Sequence, residues 1–426
     1  VGGSTVINEG DCTRIPAPVL DHWKRLAGVD GYAEGDLAPA YERVERALGV
    51  QPVPDNLLNR NNRLLAAGAE HLGHDHGVFR QNRSGCVGSG YCLIGCAYDA
   101  KKGAHLTYLP RAVAQGARLQ ADARAERVVA RSGGGWRVEG AIVERATRRA
   151  RLGFSAEAPV VIVAAGTIHS PVLLARSGLA GASGQLGRNL SLQPQAPVIA
   201  LFPEPVVAYR GIPQSVYVSA FDAATAEDGL GGFRMEGIVG GPAMSGSLIG
   251  GFGLAHKEQM TRFNHVAANL LLVPDRPTGR VEVDRKGRVH IRYEPTAEWK
   301  ERLRQGLRRS AEIWFAAGAD TVMTSSETTA PLTRNDDPKR LGDVPLDPGL
   351  FRLISAHPQG TCRLGADARR SVVDAGLEVH GHRGLFVMDA SVFPTSASTH
   401  TMIPIMAMMD LAAQRLVDRK GSFWGT

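Results

Sequence analysis

Pro159-Val160-Val161-Ile162-Val163-Ala164-Ala165-Gly166 is a short, apolar, β-branched run closed by glycine, and Ser170-Pro171 then opens the segment Val172 to Arg176. This pattern predicts a buried strand, a tight turn and a helix start, with Ser170 as N-cap and Pro171 at the first helical position. A second short strand is predicted at Gly384-Leu385-Phe386-Val387-Met388-Asp389, followed by a final helix from Ile405 to Arg419 with Pro404 near its start. These two strand and helix pairs frame everything between them.

Inside the frame, Gly279 to Tyr293 alternates apolar and charged residues on either side of Asp284-Arg285-Lys286-Gly287-Arg288, the pattern of a β-hairpin. Thr296 to Ala317 carries Trp299, Leu303 and Leu307 at steps of four and predicts an amphipathic helix. Ser325 to Leu350, rich in Pro and Asp, reads as a surface excursion. Toward the N-terminus, Pro18 to Gly49 reads as helical, with Leu20, Trp23, Leu26, Leu37, Tyr41, Val44 and Leu48 recurring at three- and four-residue steps. Arg83 to Gly103 is Gly- and Cys-rich and reads as irregular. Strands and helices mixed in this order predict an α/β (α+β mixed) fold with a second, sheet-bearing domain inserted.

At 426 residues, 43% hydrophobic and 21% charged, the chain has the composition of a globular protein of two or three lobes. The net charge of +7 is diffuse, and no basic stripe interleaved with aromatics appears, so no nucleic-acid partner is expected. No run of about 18 apolar residues occurs, so no transmembrane helix is expected. The compartment, cytoplasmic or periplasmic, stays open. Five cysteines are too few and too uneven for a disulfide framework. Three of them, Cys86, Cys92 and Cys96, crowd one loop.

Two histidines have informative neighbours: His357 in Ala-His-Pro-Gln-Gly-Thr-Cys, and His400 in Ser-Thr-His-Thr-Met-Ile-Pro just before the final helix. Imidazole titrates near neutrality, so a convergent pair can remove a hydroxyl proton and hold the alkoxide that results. Each alone also fits an ordinary structural histidine.

Several segments in order resemble the glucose-methanol-choline (GMC) family of flavin-dependent alcohol oxidoreductases. They are Gly2-Gly3-Ser4-Thr5-Val6-Ile7-Asn8, Val163 to Gly166 with Ser170 to Leu174, Leu186 to Asn189, His357 to Cys362, Val372 to Asp374, Gly384 to Pro394, and His400 to Ala407. The resemblance implies a flavin-binding Rossmann-like domain with an inserted antiparallel-sheet substrate domain. On that reading residues 1–190 form part of the FAD-binding domain, with a helical and Cys-rich excursion at 18–110; residues 191–350 form the substrate domain; and residues 351–426 return to the FAD-binding domain with the histidine pair. It makes His357 the base on the substrate hydroxyl and His400 its partner. Gly2, Gly3, Ser4 and Asn8 would line the FAD, Ala125 would meet the adenine, Ala165 and Gly166 would form a cofactor turn, Asp389 and Ala390 would end a strand on the cofactor, and Thr401 and Met402 would sit against the flavin ring.

The sequence departs from the family pattern in two places. The GxGxxG unit that cradles the diphosphate is missing, which reads as an N-terminal truncation given the Val1 start. Glu9 and Asp11 stand where small residues are usual, and would repel a diphosphate. The C-x5-C-x3-C spacing of Cys86, Cys92 and Cys96 is similar to the loop that holds a three-iron (3Fe-4S) cluster in some FAD-dependent sugar dehydrogenases, with free cysteines packing a loop as the alternative. The resemblance thus implies oxidation of a small-molecule alcohol, nonpolar, long-chain or sterol-like, with oxygen or an electron-acceptor protein receiving the electrons. Its rivals are a truncated, non-catalytic remnant and an iron-sulfur sugar dehydrogenase subunit. Phe202, Tyr209, Tyr217, Phe221, Phe233, Phe252 and Phe263 are available to line an apolar pocket or to pack a core.

Overall fold

The computed structural model describes residues 1–179, 183–222 and 226–424. The strand Val161–Val163 pairs in parallel with Leu385–Val387, so the two runs quoted first are neighbours although more than half the chain separates them. Val163, Leu385, Phe386 and Val387 are buried, as a parallel pair under a helical layer demands.

The helix after the first strand spans Gly166–Arg176 and begins earlier than the Ser170-Pro171 signal implies. The reason lies across the fold. The Asp389 carboxylate accepts from the Gly166 amide at 2.9 Å and from the Ser170 hydroxyl, so the cap comes from the end of the partner strand. Ser170 instead turns back inside the helix to accept from the Ala165 amide at 3.0 Å. Pro171 then falls within the helix, where it cannot donate to the Thr167 carbonyl. That carbonyl accepts from the Thr361 hydroxyl at 2.5 Å instead. The final helix likewise starts at Met402 rather than Ile405, because Pro404 is tolerated in a first turn.

A seven-stranded antiparallel sheet dominates the second half. Its strands run in the order Leu332–Thr333, Thr321–Thr324, Gln195–Leu201, Val266–Leu272, Arg234–Gly237, Val216–Val218 and His76–Val78. The last of these comes from the N-terminal excursion. One face is covered by the helix Ala297–Ala316, capped by Thr296 and burying Trp299, Leu303, Leu307 and Trp314. The helix Arg60–His71 joins it so closely that a Cβ on Gly68 would lie 2.3 Å from the Ile313 carbonyl. The predicted hairpin is present as Gly279–Val283 and Val289–Arg292. A three-stranded meander, Ala123–Ala130, Trp136–Val143 and Ala150–Ala158, has no counterpart in the sequence reading.

Candidate active site

Side chains alternate along a strand, so Gln195, Pro197 and Ile199 share the sheet face opposite the helices. Register adds Leu270, opposite Pro197, and Glu236, opposite Leu270, to the same face. His357 and His400 converge on it. Their rings lie 5.1 Å apart between centroids at 88°, and both are more than nine-tenths buried, at 6% and 9% exposure. The sequence pairing of these two residues is therefore a structural fact. Phe79 stacks edgewise on His400 at 5.5 Å.

Each ring is held through one nitrogen. His357 Nδ1 lies 3.0 Å from Gln193 Nε2 and 3.4 Å from Gln195 Nε2. His400 Nε2 lies 3.0 Å from Glu236 Oε1 and 3.8 Å from Asp11 Oδ2. Gln214 donates to the other Glu236 oxygen at 2.7 Å, and Gln81 donates to Asp11 at 2.6 Å. Burial and the charge of His400 hold His357 well below the ordinary histidine value. Burial also opposes charge on His400, but the Glu236 carboxylate beside it, with Asp11, outweighs burial and holds the ring above that value. The two imidazoles are thus driven apart, one toward neutral and one toward charged.

Glu9 and Asp11 turn out differently from the sequence expectation. Both carboxylates are buried and meet positive groups: Asp11 joins His400, and Glu9 lies 3.8 Å from Arg83. Burial pushes Glu9 up to about 7 and Asp11 up to about 6. Arg83 also donates to the Glu9 carbonyl and to the Cys92 sulfur, and Lys101 donates to the carbonyls of Val6, Asn8 and Cys92. The network ties the N-terminal segment to the cysteine loop.

That loop gives no support to an iron-sulfur cluster. Among the described residues no three His, Cys, Asp or Glu side chains converge to hold a metal, and Cys86, Cys92 and Cys96 are all free thiols. Cys92 is buried on Arg83, while Cys86 accepts from the Gly88 amide at 3.5 Å.

Of the expected cofactor residues, Asn8 and Met402 meet, with the Asn8 amide nitrogen 2.9 Å from the Met402 sulfur. Ala165, Gly166, Asp389 and Ala390 gather where the parallel strands end. Gly2, Gly3 and Ser4 form a single helical turn, in which Gly2 has φ 105° and a Cβ would press 2.9 Å against Val6. Ala125 stands apart in the meander, opposite Gly140. Asn8 Oδ1 is buried with no hydrogen-bond partner among the described residues, and Thr401 opens the final helix without a side-chain cap. The first amides of that helix have no intrahelical acceptor. A buried, unpartnered Asn8 oxygen and a bare helix N-terminus at Thr401 fit a polar cofactor such as FAD.

Further along the same sheet face lies a largely apolar cavity lined by Pro197, Ile199, Ile238, Leu248, Leu270 and Ile354. The helix Pro242–Leu248 closes part of it, within a segment that holds no charged residue from Ile238 to Ala255. The lining is aliphatic rather than aromatic. Phe202, Phe233 and Phe263 are in the core, Tyr209 stacks on Phe263, Phe221 stacks on Phe233, and Tyr217 tilts against Phe79. Phe252 is 95% exposed.

Gln193, Gln195, Glu236, Arg83 and Lys101 were not foreseen. No local signal marks Glu236, whose strand Arg234–Gly237 holds two charged residues of four.

Family models described as GMC oxidoreductase match residues 1–195 and 275–408. A GMC-type oxidoreductase of Mycobacterium tuberculosis is 35% identical over 98% of this chain and 64% of its own length. Long-chain-alcohol oxidase FAO3 of Arabidopsis thaliana is 27% identical over 96% of this chain and 57% of its own. The chain therefore spans about three-fifths of these curated relatives. Among solved structures, a formate oxidase of Aspergillus oryzae aligns with a TM-score of 0.71 at 15% identity, covering 99% of this chain and 84% of that one. A fungal aryl-alcohol oxidase aligns at 0.65 and 16% identity, over 99% and 86%. Identities this low establish likeness of fold.

Proposed function

Because the chain belongs to the GMC oxidoreductase family, we propose that it forms the substrate side of a flavin-dependent enzyme that oxidises the CH–OH group of a nonpolar alcohol. The observation that carries this reading is the buried His357–His400 pair, with an aliphatic cavity further along the same sheet face. Apolar walls favour a hydrocarbon tail by about 0.8 kcal/mol per buried CH₂, while the imidazoles supply the polar groups a hydroxyl needs. A relative named for long-chain alcohols points the same way. A small polar substrate would find few partners in that cavity.

FAD, when bound, supplies the two-electron oxidant that accepts hydride from the carbinol carbon. Asn8, Thr401 and Met402 would hold it, with the amides at the start of the final helix favouring negative charge nearby. His357 and His400 would bind the hydroxyl and move its proton, and the closed sheet face would exclude water. The relatives named as oxidases favour oxygen as the final acceptor over an acceptor protein.

The test is spectroscopic. Purified protein supplied with FAD is expected to be yellow and to bleach when a long-chain primary alcohol is added without oxygen. Bound flavin that no alcohol reduces overturns the reading.

A further inference from the structure

The large sheet domain presents an apolar surface away from the histidine pair. Residues 238–255 include no charged side chain, and three large ones among them face solvent: Phe252 at 95% exposure, Leu254 at 70% and Met244 at 38%. One exposed apolar side chain is ordinary. Three on an uncharged stretch mark a surface that meets something other than water.

The stretch is a built element. The helices Pro242–Leu248 and Gly253–Thr261 are tied together where His256 Nε2 donates to the Gly246 carbonyl at 2.9 Å. Between them Gly251 and Gly253 take φ of 94° and 63°, so the chain bends on either side of Phe252 and sets its ring on the connecting turn. Arg352 anchors the underside: it donates to the Ile249 carbonyl at 2.9 Å and pairs with Glu327, which accepts from the Gly251 amide at 3.2 Å. Ile249 is buried and Met260 packs against the core. The helical hairpin is thus held by its backbone and its inward side chains, and its packing does not need Phe252 or Leu254.

Charge says what covers it. Lys257 and Arg262 follow the apolar run, are exposed and form no ion pair among the described residues, and Glu258 is the one carboxylate on their helix. Aromatic and aliphatic side chains followed by unpaired cations are the pattern of a segment seated at the headgroup level of an anionic bilayer. A second copy of a chain with net charge +7 would set like charge against like, whereas anionic lipid brings the opposite charge. No helix among the described residues is long and apolar enough to cross a membrane, so the contact lies in the interface plane. Met244 also lines the aliphatic cavity, so the hairpin touches both the outside and the tail site.

We propose that the hairpin at 242–261 docks on the surface of an anionic lipid bilayer, with Phe252 and Leu254 among the acyl chains and Lys257 and Arg262 at the phosphates. Alcohol dissolved in the bilayer then enters the cavity past Met244. The docking stands on the surface alone; the entry route rests on the reading of the chain as an oxidoreductase of nonpolar alcohols.

Vesicle sedimentation tests the docking without flavin or turnover. The protein is expected to bind phosphatidylcholine vesicles that contain phosphatidylglycerol several-fold better than phosphatidylcholine alone, and more weakly at high salt. Phe252→Asp should lower binding about tenfold and Lys257→Ala about fivefold. Phe252→Ser, which adds no charge, should share the loss, while Leu152→Asp, at an equally open apolar position on the meander, should leave binding unchanged. No binding to either vesicle, or equal losses for Phe252→Asp and Leu152→Asp, overturns the docking. So does self-association that Phe252→Asp abolishes without any vesicle binding, which would make the surface an interface between copies. In the FAD-loaded protein, Phe252→Asp should raise KM for a long-chain alcohol carried in anionic vesicles and leave kcat/KM for a short soluble alcohol as it was. An equal effect on both overturns the entry route. Flavin that no alcohol reduces removes the entry route together with the proposed function, and the sedimentation result stands apart from both.

Discussion

The carboxylate of Asp389 holds the amide of Gly166 at 2.9 Å, so the helix entered from the first parallel strand is capped by the end of the second. The same carboxylate takes the Ser170 hydroxyl and the Ser391 amide. Asp389→Ala should remove all three bonds and destabilise the protein by about 2 kcal/mol or more, the scale of a lost cap plus a charged hydrogen bond. Denaturant unfolding measures it, and a loss under about 0.5 kcal/mol would mean another group caps Gly166.

Asn62 is a buried junction between the helix Arg60–His71 and the large sheet. Its oxygen accepts from the Ser215 and Val216 amides at 3.1 and 2.8 Å, and its amide donates to Asn59 and to the Pro213 carbonyl. Asn62→Ala strands two backbone donors, and a cost of about 2–4 kcal/mol is expected. Asn62→Asp keeps the acceptor for the two amides but sets its second carboxylate oxygen against Asn59 Oδ1 and the Pro213 carbonyl, both acceptors, so it should not restore stability at neutral pH.

Glu9 predicts a pH dependence of known sign. Burial first of all raises its folded-state value to about 7, above the unfolded value, so the folded state holds the proton longer. Stability from this group is full below the unfolded value and is lost as pH rises toward about 7. Glu9→Gln should flatten stability against pH over that window, and an unchanged slope between the two proteins would refute the assignment.

Thiol labelling reads the cysteine loop directly. Cys12, Cys92 and Cys362 are buried, whereas Cys86 and Cys96 are half-exposed. Burial also pushes the Cys92 thiol up to about 12, far from the reactive thiolate. Iodoacetamide should modify Cys86 and Cys96 in the native protein and the other three only after unfolding, as peptide mass mapping will show.

Chain-length preference tests the cavity. Met244→Arg places a charge on the helix that partly closes it. Discrimination in kcat/KM between a long and a short alcohol should fall by tenfold or more, about 1.4 kcal/mol, with the short alcohol little affected. Equal losses for both would remove the cavity as the tail site.

The sequence carried the frame of the fold well. A β-branched run closed by Gly166, its partner ending at Asp389, the hairpin on either side of Gly287 and the helix with Trp299 each depend on local pattern, and each is found. The helix start at Gly166 was misread because its cap comes from Asp389, which no local window contains. The meander does carry apolar alternation, in Trp136-Arg137-Val138-Glu139 and from Ala150 to Ala158, a signal the sequence reading passed over; the last strand exposes its apolar positions instead of burying them. His357 and His400 were legible from their neighbours, but the residues that decide their protonation were not. Glu236, Gln193 and Asp11 reach them only through sheet register and long-range packing.

The strand Val161–Val163 has a hydrogen-bonded neighbour on one side only among the described residues, and its Ile162 is 46% exposed. An open strand edge with an apolar side chain is a template for further pairing. Whatever added strand finds that edge, from another part of a longer polypeptide or from a second copy, would extend the sheet in register. A proline or lysine at Ile162 would blunt that edge.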